Sequence, residues 1–281
     1  MKKNLLLVVI IGLGLAVSMC LVGNAFAQPR VVEEEIVLKD PTVSAPKKWV
    51  VGGSLEYWYV SGGYDTVDDN GNTIAEGDID SNMPGGNAFV GYGDWTLQFS
   101  YRGGDTDIDM RWVSNAVDTE EKQKHLEYEV TLRYLLRGLS AKHFVPYLLG
   151  GYNSTSIDST DTIITPGWIW TSTGTTVEHR ETDYRSWMLG VGAVVPFNKY
   201  LGMRGDLRVA FTDADSKITD TGASWSDSGI GGVGFLTGYW NIFEGLNFQI
   251  GGKYQHLNGG DKIGWYSRFG GFAMLGYSYK F

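Results

Sequence analysis

Two pairs of closely spaced aspartates are the residues of this chain best suited by type and spacing to acid–base chemistry. Asp107 and Asp109 lie two apart in DTDIDMRW, and Asp213 and Asp215 lie two apart in FTDADSK. A carboxylate activates water most effectively beside a base whose pKa is near the working pH, and histidine is the usual base. The histidines are His125, His143, His179 and His256, and none is close in sequence to the second aspartate pair. The sequence therefore does not favour a hydrolytic enzyme, and no catalytic residue is predicted.

An acidic stretch, YDTVDDNGNTIAEGDID, runs from Tyr64 to Asp80 and offers oxygen ligands suited to a divalent cation. The spacing does not match a helix–loop–helix calcium site, because placing Gly71 at the sixth position puts Thr66 first and Gly77 twelfth. We interpret the stretch as a solvated loop. The sequence carries no zinc spacing, phosphate loop or cofactor motif, so neither a metal nor a cofactor is predicted.

Other charged residues alternate with apolar ones, which is the pattern of a β-strand with two different faces. The segment KHLEYEVTLRYLL is the clearest example, and GDWTLQFSYRGG, LGMRGDLRVAF and LNFQIGGKYQ repeat it. In a barrel that spans a membrane the apolar set faces lipid and the charged set faces the lumen. The predicted lumen charges are Glu56, Arg102, Glu127, Glu129, Arg133, Arg204, Asp206, Arg208, Lys253 and Lys280.

Alternating segments begin near residues 48, 86, 95, 122, 143, 181, 201, 228, 246 and 268. The connections between them alternate in length, with short ones at 93–94, 137–142, 196–200 and 241–245. Long ones are expected around 65–85, 106–121, 158–180, 214–227 and 257–267. Short turns at one end and longer loops at the other are typical of a transmembrane barrel. The predicted fold is an all-β antiparallel barrel of ten strands; eight strands are the alternative, because the faces of 143–156 and 228–240 are unclear.

The N-terminus has the layout of a secretory signal peptide, with Lys2 and Lys3 before an apolar run and Ala25 and Ala27 at the small-residue positions of a cleavage site. We predict a signal peptide over 1–27, a periplasmic extension over 28–47 and an outer-membrane barrel over 48–281. Cleavage removes the single cysteine and leaves 21 basic against 32 acidic residues, a net charge of −11. Such a charge does not favour binding to nucleic acid.

The C-terminus, GYSYKF, ends on an aromatic residue within what we expect to be a strand. In this it resembles the bacterial outer-membrane β-barrel family, whose members commonly end with Gly and aromatic residues at the positions of Gly276, Tyr279 and Phe281. Met274 departs from the polar residue usual at its position. The resemblance implies that the barrel assembly machinery reads this end of the chain. We also predict a monomer surrounded by outer-membrane lipid and lipopolysaccharide.

The first aspartate pair, with Trp112 after it, also looks like the acidic pair of the omptin surface proteases, which have ten strands. That resemblance implies a His–Asp pair at the fourth outer loop, where this chain has Asp213 and Asp215 and no histidine. The protease is therefore the lesser alternative.

Mixed charges in a narrow lumen are expected to pair, since an unpaired ion away from water is costly. We predict a side-chain-filled barrel with a structural or surface-recognition role, and a narrow solute channel is the alternative. Large open channels need about 16 to 18 strands and are excluded. The candidate recognition residues for an extracellular ligand are the loop tryptophans Trp168, Trp170 and Trp225.

Overall fold

The computed structural model describes residues 49–67, 73–112, 117–141, 143–165, 174–243 and 245–280. Ten antiparallel strands, each paired with its neighbours in the chain, form a barrel that closes where β1 pairs with β10. The ten-stranded prediction is confirmed and the eight-stranded alternative is wrong. No helix in these ranges is both long and apolar enough to cross a bilayer. The strands are β1 Trp49–Val67, β2 Thr73–Tyr92, β3 Trp95–Trp112, β4 Val117–Leu135, β5 Val145–Thr165, β6 Gly174–Pro196, β7 Leu201–Ile218, β8 Ser224–Phe243, β9 Leu246–Asn258 and β10 Trp265–Lys280.

The two ends of the barrel differ in how the strands are joined. At the end we call lower, β1 begins, β10 ends, and β2 turns into β3 through Gly93 and Asp94. Gly93 has a φ of +61°, which a tight hairpin requires and which glycine adopts without strain. A short 3₁₀ turn, Arg137–Leu139, lies at the same end between β4 and β5. The described connections of the opposite, upper end are 219–223 and 259–264.

The strands reach further toward the upper end than the sequence pattern predicts. β5 continues to Thr165, β7 to Ile218 and β2 already begins at Thr73, so much of what was expected to be outer loop is strand. The expected loop 214–227 shrinks to 219–223 in the structure. Alternation of apolar and charged residues fades in these upper segments, and with it the signal on which the strand boundaries were predicted.

Part of the way toward the upper end, the outward face of the barrel wall changes from apolar to polar, and the inward face changes from charged to apolar. On β7 the outward Leu207, Val209 and Phe211 are exposed, and further up the outward side chains are Asp213 and Lys217. The inward face of the same strand changes in the opposite sense, from buried Asp206 to buried Ala214 and Ile218. The lower half thus has an apolar outside, and the upper half has a polar outside.

The boundary between the two halves lies at the same height on the neighbouring strands β6 and β7. Trp187 of β6 pairs with Phe211, and the next outward pair, Arg185 with Asp213, is charged. From Leu201 to Phe211 a strand tilted by about 40° rises about 25 Å, which is the height of the lipid-facing band of a membrane barrel. We call this band the apolar belt; its exposed members include Leu55, Tyr57, Trp95, Leu97, Phe99, Trp187, Leu189, Val191, Leu207, Val209, Phe211, Ile250, Leu275 and Tyr277.

Gly270 on β10 leaves the space that the buried Trp58 side chain occupies. A Cβ at Gly270 would overlap the indole nitrogen of Trp58 and the carbonyl oxygen of Tyr59. Gly270→Ala is therefore expected to displace Trp58 and to lower the free energy of unfolding by about 1–3 kcal/mol. The matched control is Gly271→Ala, because a Cβ there meets nothing closer than the Gly251 carbonyl oxygen at 3.8 Å. Urea titrations of both variants in lipid vesicles measure the difference, and equal stabilities would contradict the prediction.

Candidate functional site

A network of ion pairs fills the middle of the lumen, and Glu127 is its centre. This carboxylate is fully buried (0% exposed). It accepts hydrogen bonds from Arg102 Nη1 at 2.7 Å and from Lys253 Nζ at 2.8 Å, and it also pairs with Arg268. β3, β4, β9 and β10 supply these four side chains, so the network ties together strands on several sides of the barrel.

A second set of ion pairs extends the network around the lumen. Glu129 accepts hydrogen bonds from Lys253 Nζ at 3.0 Å and from Arg208 Nη1 at 2.5 Å. Arg208 Nε donates to Asp206 at 2.7 Å, and Arg102 Nε donates to Glu56 at 2.9 Å. Four acids and four bases thus meet in a space withdrawn from water, where pairing offsets the cost of desolvating each charge.

Seven of these eight residues are among the predicted lumen charges, and the eighth, Arg268, was missed. Arg268 is fully buried on the inward face of β10, where Nε and Nη2 also bind Gln255 Oε1. The predicted last strand began at 268, and Gly270 and Gly271 interrupt the alternation immediately after it. The signal that could have found Arg268 is its even spacing from Gly276, which places it on the same face of a strand.

An aromatic side chain lies against the cations of the network. The Trp58 ring centroid is 4.5 Å from Arg268, 5.2 Å from Lys253 and 5.6 Å from Arg102, within the range of cation–π attraction. Trp58 also belongs to an apolar cluster that fills the β1, β2 and β10 side of the lumen. The other members of that cluster are Val60, Met83, Phe272 and Met274, with Phe235 packed against it.

A second layer, which we call the aromatic layer after Tyr184 and Tyr266, lies above the network. Tyr266 stacks on Tyr184 with ring centroids 6.0 Å apart, and its hydroxyl is 2.9 Å from His125 Nδ1. His125 Nε2 in turn is 2.8 Å from Gln123 Oε1. The remaining buried members of this layer are Ile157, Ala214 and Leu257, with Ile263 packed against them. Two filled layers in sequence therefore lie between the lower and the upper end.

The other predicted site residues lie below the network, elsewhere in the barrel wall or outside the described part. The guanidinium carbons of Arg133 and Arg204 lie below it, 5.4 and 5.1 Å from the ring centroids of Tyr147 and Phe235. Trp225, expected in a loop, is the second residue of β8. Gly276 and Tyr279 pair with Ser54 and Val51 of β1. Trp168, Trp170, Phe281, the side chain of Lys280, the signal peptide and the extension are outside the described residues.

The second aspartate pair faces outward on β7, away from the lumen. Asp215 lies 3.4 Å from Arg185 of β6, which also lies 3.6 Å from Asp183, and all three side chains are about half exposed. His179 is exposed near the upper end, with Nδ1 3.2 Å from the Thr160 hydroxyl. The side chains of Asp107 and Asp109 are outside the described part. Where side chains are described, no group of three or more His, Cys, Asp or Glu could hold a metal ion.

No protein-family model and no curated protein matches the sequence. Solved structures do resemble the fold. The outer membrane protease OmpT from Escherichia coli superposes with a TM-score of 0.57 at 8% identity, over 85% of this chain and 98% of that chain. The transport unit of the autotransporter AIDA-I from Escherichia coli gives 0.44 at 12% identity, over 94% and 97%. The outer membrane protein OprG from Pseudomonas aeruginosa gives 0.38 at 13% identity, over 85% and 98%. The first of these similarities shows the fold, so this chain has the fold of the bacterial outer-membrane barrels.

Proposed function

We propose that this protein is a non-enzymatic barrel of the bacterial outer membrane, with a filled lumen and an upper wall that serves recognition at the cell surface. The observation that carries the proposal is that a filled lumen occurs together with a barrel wall that extends well above the apolar belt. A filled lumen makes the barrel rigid. A rigid barrel holds its upper wall in one geometry before a ligand binds, so binding does not carry the cost of ordering that surface.

The filling of the lumen argues against the passage of solutes. An ion entering from either end meets the buried network around Glu127 or the aromatic layer around Tyr266. Moving the network aside would separate buried charges from their partners, which costs several kcal/mol for each pair. A narrow channel is the competing reading, and conductance separates the two.

The exposed upper wall supports the recognition role by its composition. Its outward side chains are polar and of both signs, which suits a hydrated ligand such as a glycan or a protein better than an apolar one. Exposed charged residues of this wall include Glu76, Asp78, Asp80, Lys122, Lys124, Asp158, Glu181, Arg185, Asp213 and Lys217. Trp168 and Trp170, whose sequence positions fall between β5 and β6, are proposed to add an aromatic contact surface.

The proposed location follows from the apolar belt, whose exposed members come from strands on every side of the barrel. A belt that is continuous around one chain suits a monomer in contact with outer-membrane lipid and lipopolysaccharide. The lower end would then face the periplasm and the upper end the exterior. The pattern of Gly276, Tyr279 and Phe281 at the chain end supports insertion by the barrel assembly machinery, which remains a proposal.

The first test is single-channel conductance of the refolded protein in a planar lipid bilayer. We expect no discrete current steps, because the network and the aromatic layer both obstruct the lumen. Folding is checked in parallel by the altered migration of unheated protein in SDS gels, and insertion by resistance of the barrel to added protease in vesicles. Reproducible steps from folded, inserted protein would overturn the filled-lumen proposal and assign a narrow channel.

A further inference from the structure

The backbone ladder between β2 and β3 is interrupted part of the way up the barrel wall. No ladder pair joins residues 82–84 to residues 103–105, although both segments belong to described strands. Pro84 lies in this gap, and proline has no N–H to donate across a sheet. The Ser81 hydroxyl bridges part of the gap, because it donates a hydrogen bond to the Asp105 carbonyl oxygen at 3.1 Å. At this position β2 and β3 are therefore joined by fewer backbone hydrogen bonds than along the rest of their length.

An open groove lies on the outer wall over this gap. Its volume is about 860 Å³, which is in the range of cavities that hold small organic molecules. Gly86 lies between Leu55 of β1 and Tyr101 of β3, whose side chains are exposed, so the missing side chain of Gly86 leaves space between them. Gly103 leaves similar space beside Leu126 of β4. We call this feature the outer groove; its apolar lining residues include Leu55, Pro84, Tyr101 and Leu126.

The outer groove runs from the apolar belt into the polar upper wall. Gly103 lies opposite Leu126, and two residues further up the wall Asp105 lies opposite Lys124. Lys124 in turn lies opposite Asp158 of β5, and all three charged residues line the groove. The groove is thus apolar below and charged above. A membrane lipid has the same order, with its hydrocarbon chain in the bilayer and its polar head group at the surface.

The upper end of the outer groove has two carboxylates on either side of one ammonium group. Asp105, Lys124 and Asp158 are exposed, and Lys124 forms no ion pair with either of these two described carboxylates. A ligand with phosphate alone would be attracted by one group and repelled by two. A head group that carries a phosphate and a primary ammonium complements both signs, and its ammonium can donate hydrogen bonds to the carboxylates. The charges at this end therefore suit a zwitterionic head group.

We propose that the outer groove binds a zwitterionic phospholipid of the phosphatidylethanolamine class. One acyl chain lies over Gly86 and Gly103, the phosphate lies against Lys124, and the ammonium lies against Asp105 and Asp158. A chain in this groove has apolar side chains on both sides, so it makes more dispersion contacts than a chain on the flat surface of the belt. The inference rests on the proposed membrane location, and it does not depend on the proposed recognition role.

Photocrosslinking of the full chain in lipid vesicles tests this binding. The vesicles are phosphatidylcholine with a small fraction of phosphatidylethanolamine that carries a diazirine in one acyl chain, and labelled peptides are mapped by mass spectrometry. The reference is segment 207–211 of β7, whose outward side chains belong to the apolar belt away from the groove. We expect segments 84–86 and 101–103 to be labelled about fivefold more than the reference.

The two ways in which this experiment could fail are distinguishable. Equal labelling of the groove and the reference would overturn the proposed site and leave the membrane location standing. Labelling of neither, in protein shown to be folded by its migration in unheated SDS gels, would overturn the membrane location and the site with it.

A side chain placed on the floor of the outer groove should exclude the lipid. A Cβ at Gly103 would lie 3.3 Å from the side chain of Leu126, so Gly103→Leu fills the space that the acyl chain would occupy. We expect this variant to lower the labelling of the groove about fivefold. The matched control is Gly150→Leu, because a Cβ at Gly150 would lie 3.5 Å from the side chain of Leu189 outside the groove. Equal labelling of the two folded variants would overturn the proposal.

The head-group assignment is tested separately through exposed residues whose replacement leaves the wall intact. Lys124→Gln, and Asp105→Asn together with Asp158→Asn, are each expected to lower groove labelling about threefold. A probe with the same diazirine chain and a phosphatidylglycerol head group is expected to label the groove about threefold less. Equal labelling by the two probes would overturn the assignment to a zwitterionic lipid. Stronger competition by lipopolysaccharide than by unlabelled phosphatidylethanolamine would overturn it too, and would assign the groove to lipopolysaccharide.

Discussion

Replacing Glu127 by glutamine is expected to lower the free energy of unfolding of the barrel by about 3–5 kcal/mol. The substitution keeps the shape of the side chain and removes only its charge. Arg102, Lys253 and Arg268 all pair with this carboxylate in the described structure, so its loss leaves an excess of one positive charge in a buried site. The amide group that replaces one oxygen also brings a donor against groups that can only donate.

The measurement is a reversible urea titration in lipid vesicles, followed by tryptophan fluorescence. Glu181→Gln is the matched control, because it is the same substitution at an exposed position of β6. The control is expected to change stability by less than about 0.5 kcal/mol. Equal effects of the two substitutions would show that the charge of Glu127 does not stabilise the barrel, and the interpretation of the lumen as a balanced network would fail.

The lower half of the barrel could be predicted from sequence because its two faces differ in character, apolar outside and charged inside. An apolar outer face and an ionic inner face impose strict alternation, as in β4 from Leu126 to Tyr134. Alternation gives the face of each residue, so the lumen position of Glu127 and Arg102 follows without a structure. It does not give the partner of each charge. Lys253 and Glu127 are 126 residues apart and meet only because the barrel closes.

The upper half could not be predicted in the same way because its outside is polar. There the outward Asp213, Asp215 and Lys217 face away from the lumen, and the inward Ala214 and Ser216 are small. Such a segment lacks the alternating large apolar residues that distinguish a strand from a loop in the sequence, although its backbone pairs with β8. Because this segment was predicted to be a loop, Asp213 and Asp215 were compared with a catalytic pair in an outer loop. In the structure, Asp215 instead pairs with Arg185 on the outer wall.

Whether the apolar belt faces lipid can be tested directly by placing an arginine within it. Leu207 is 71% exposed on the outside of β7, within the belt. If that surface faces hydrocarbon, Leu207→Arg is expected to destabilise the folded barrel by about 2–4 kcal/mol. The physical reason is that the guanidinium group must leave water for lipid on folding, and none of the described belt residues is an acid that could offset the cost.

The chain offers a matched control for this substitution at a position with the same exposure. Leu139, in the short turn after β4, is 72% exposed but lies at the lower end, beyond the strands. Leu139→Arg is therefore expected to change stability by less than about 1 kcal/mol in the same vesicles. Urea titration of both variants in vesicles gives the difference, and repeating it in detergent of shorter chain length should reduce the effect at Leu207 only. If the two arginines cost the same, the exposed apolar surface of the lower half does not face lipid. The apolar belt below Phe211 would then have to be covered by something other than a membrane, because a continuous exposed apolar band of this size does not persist in water.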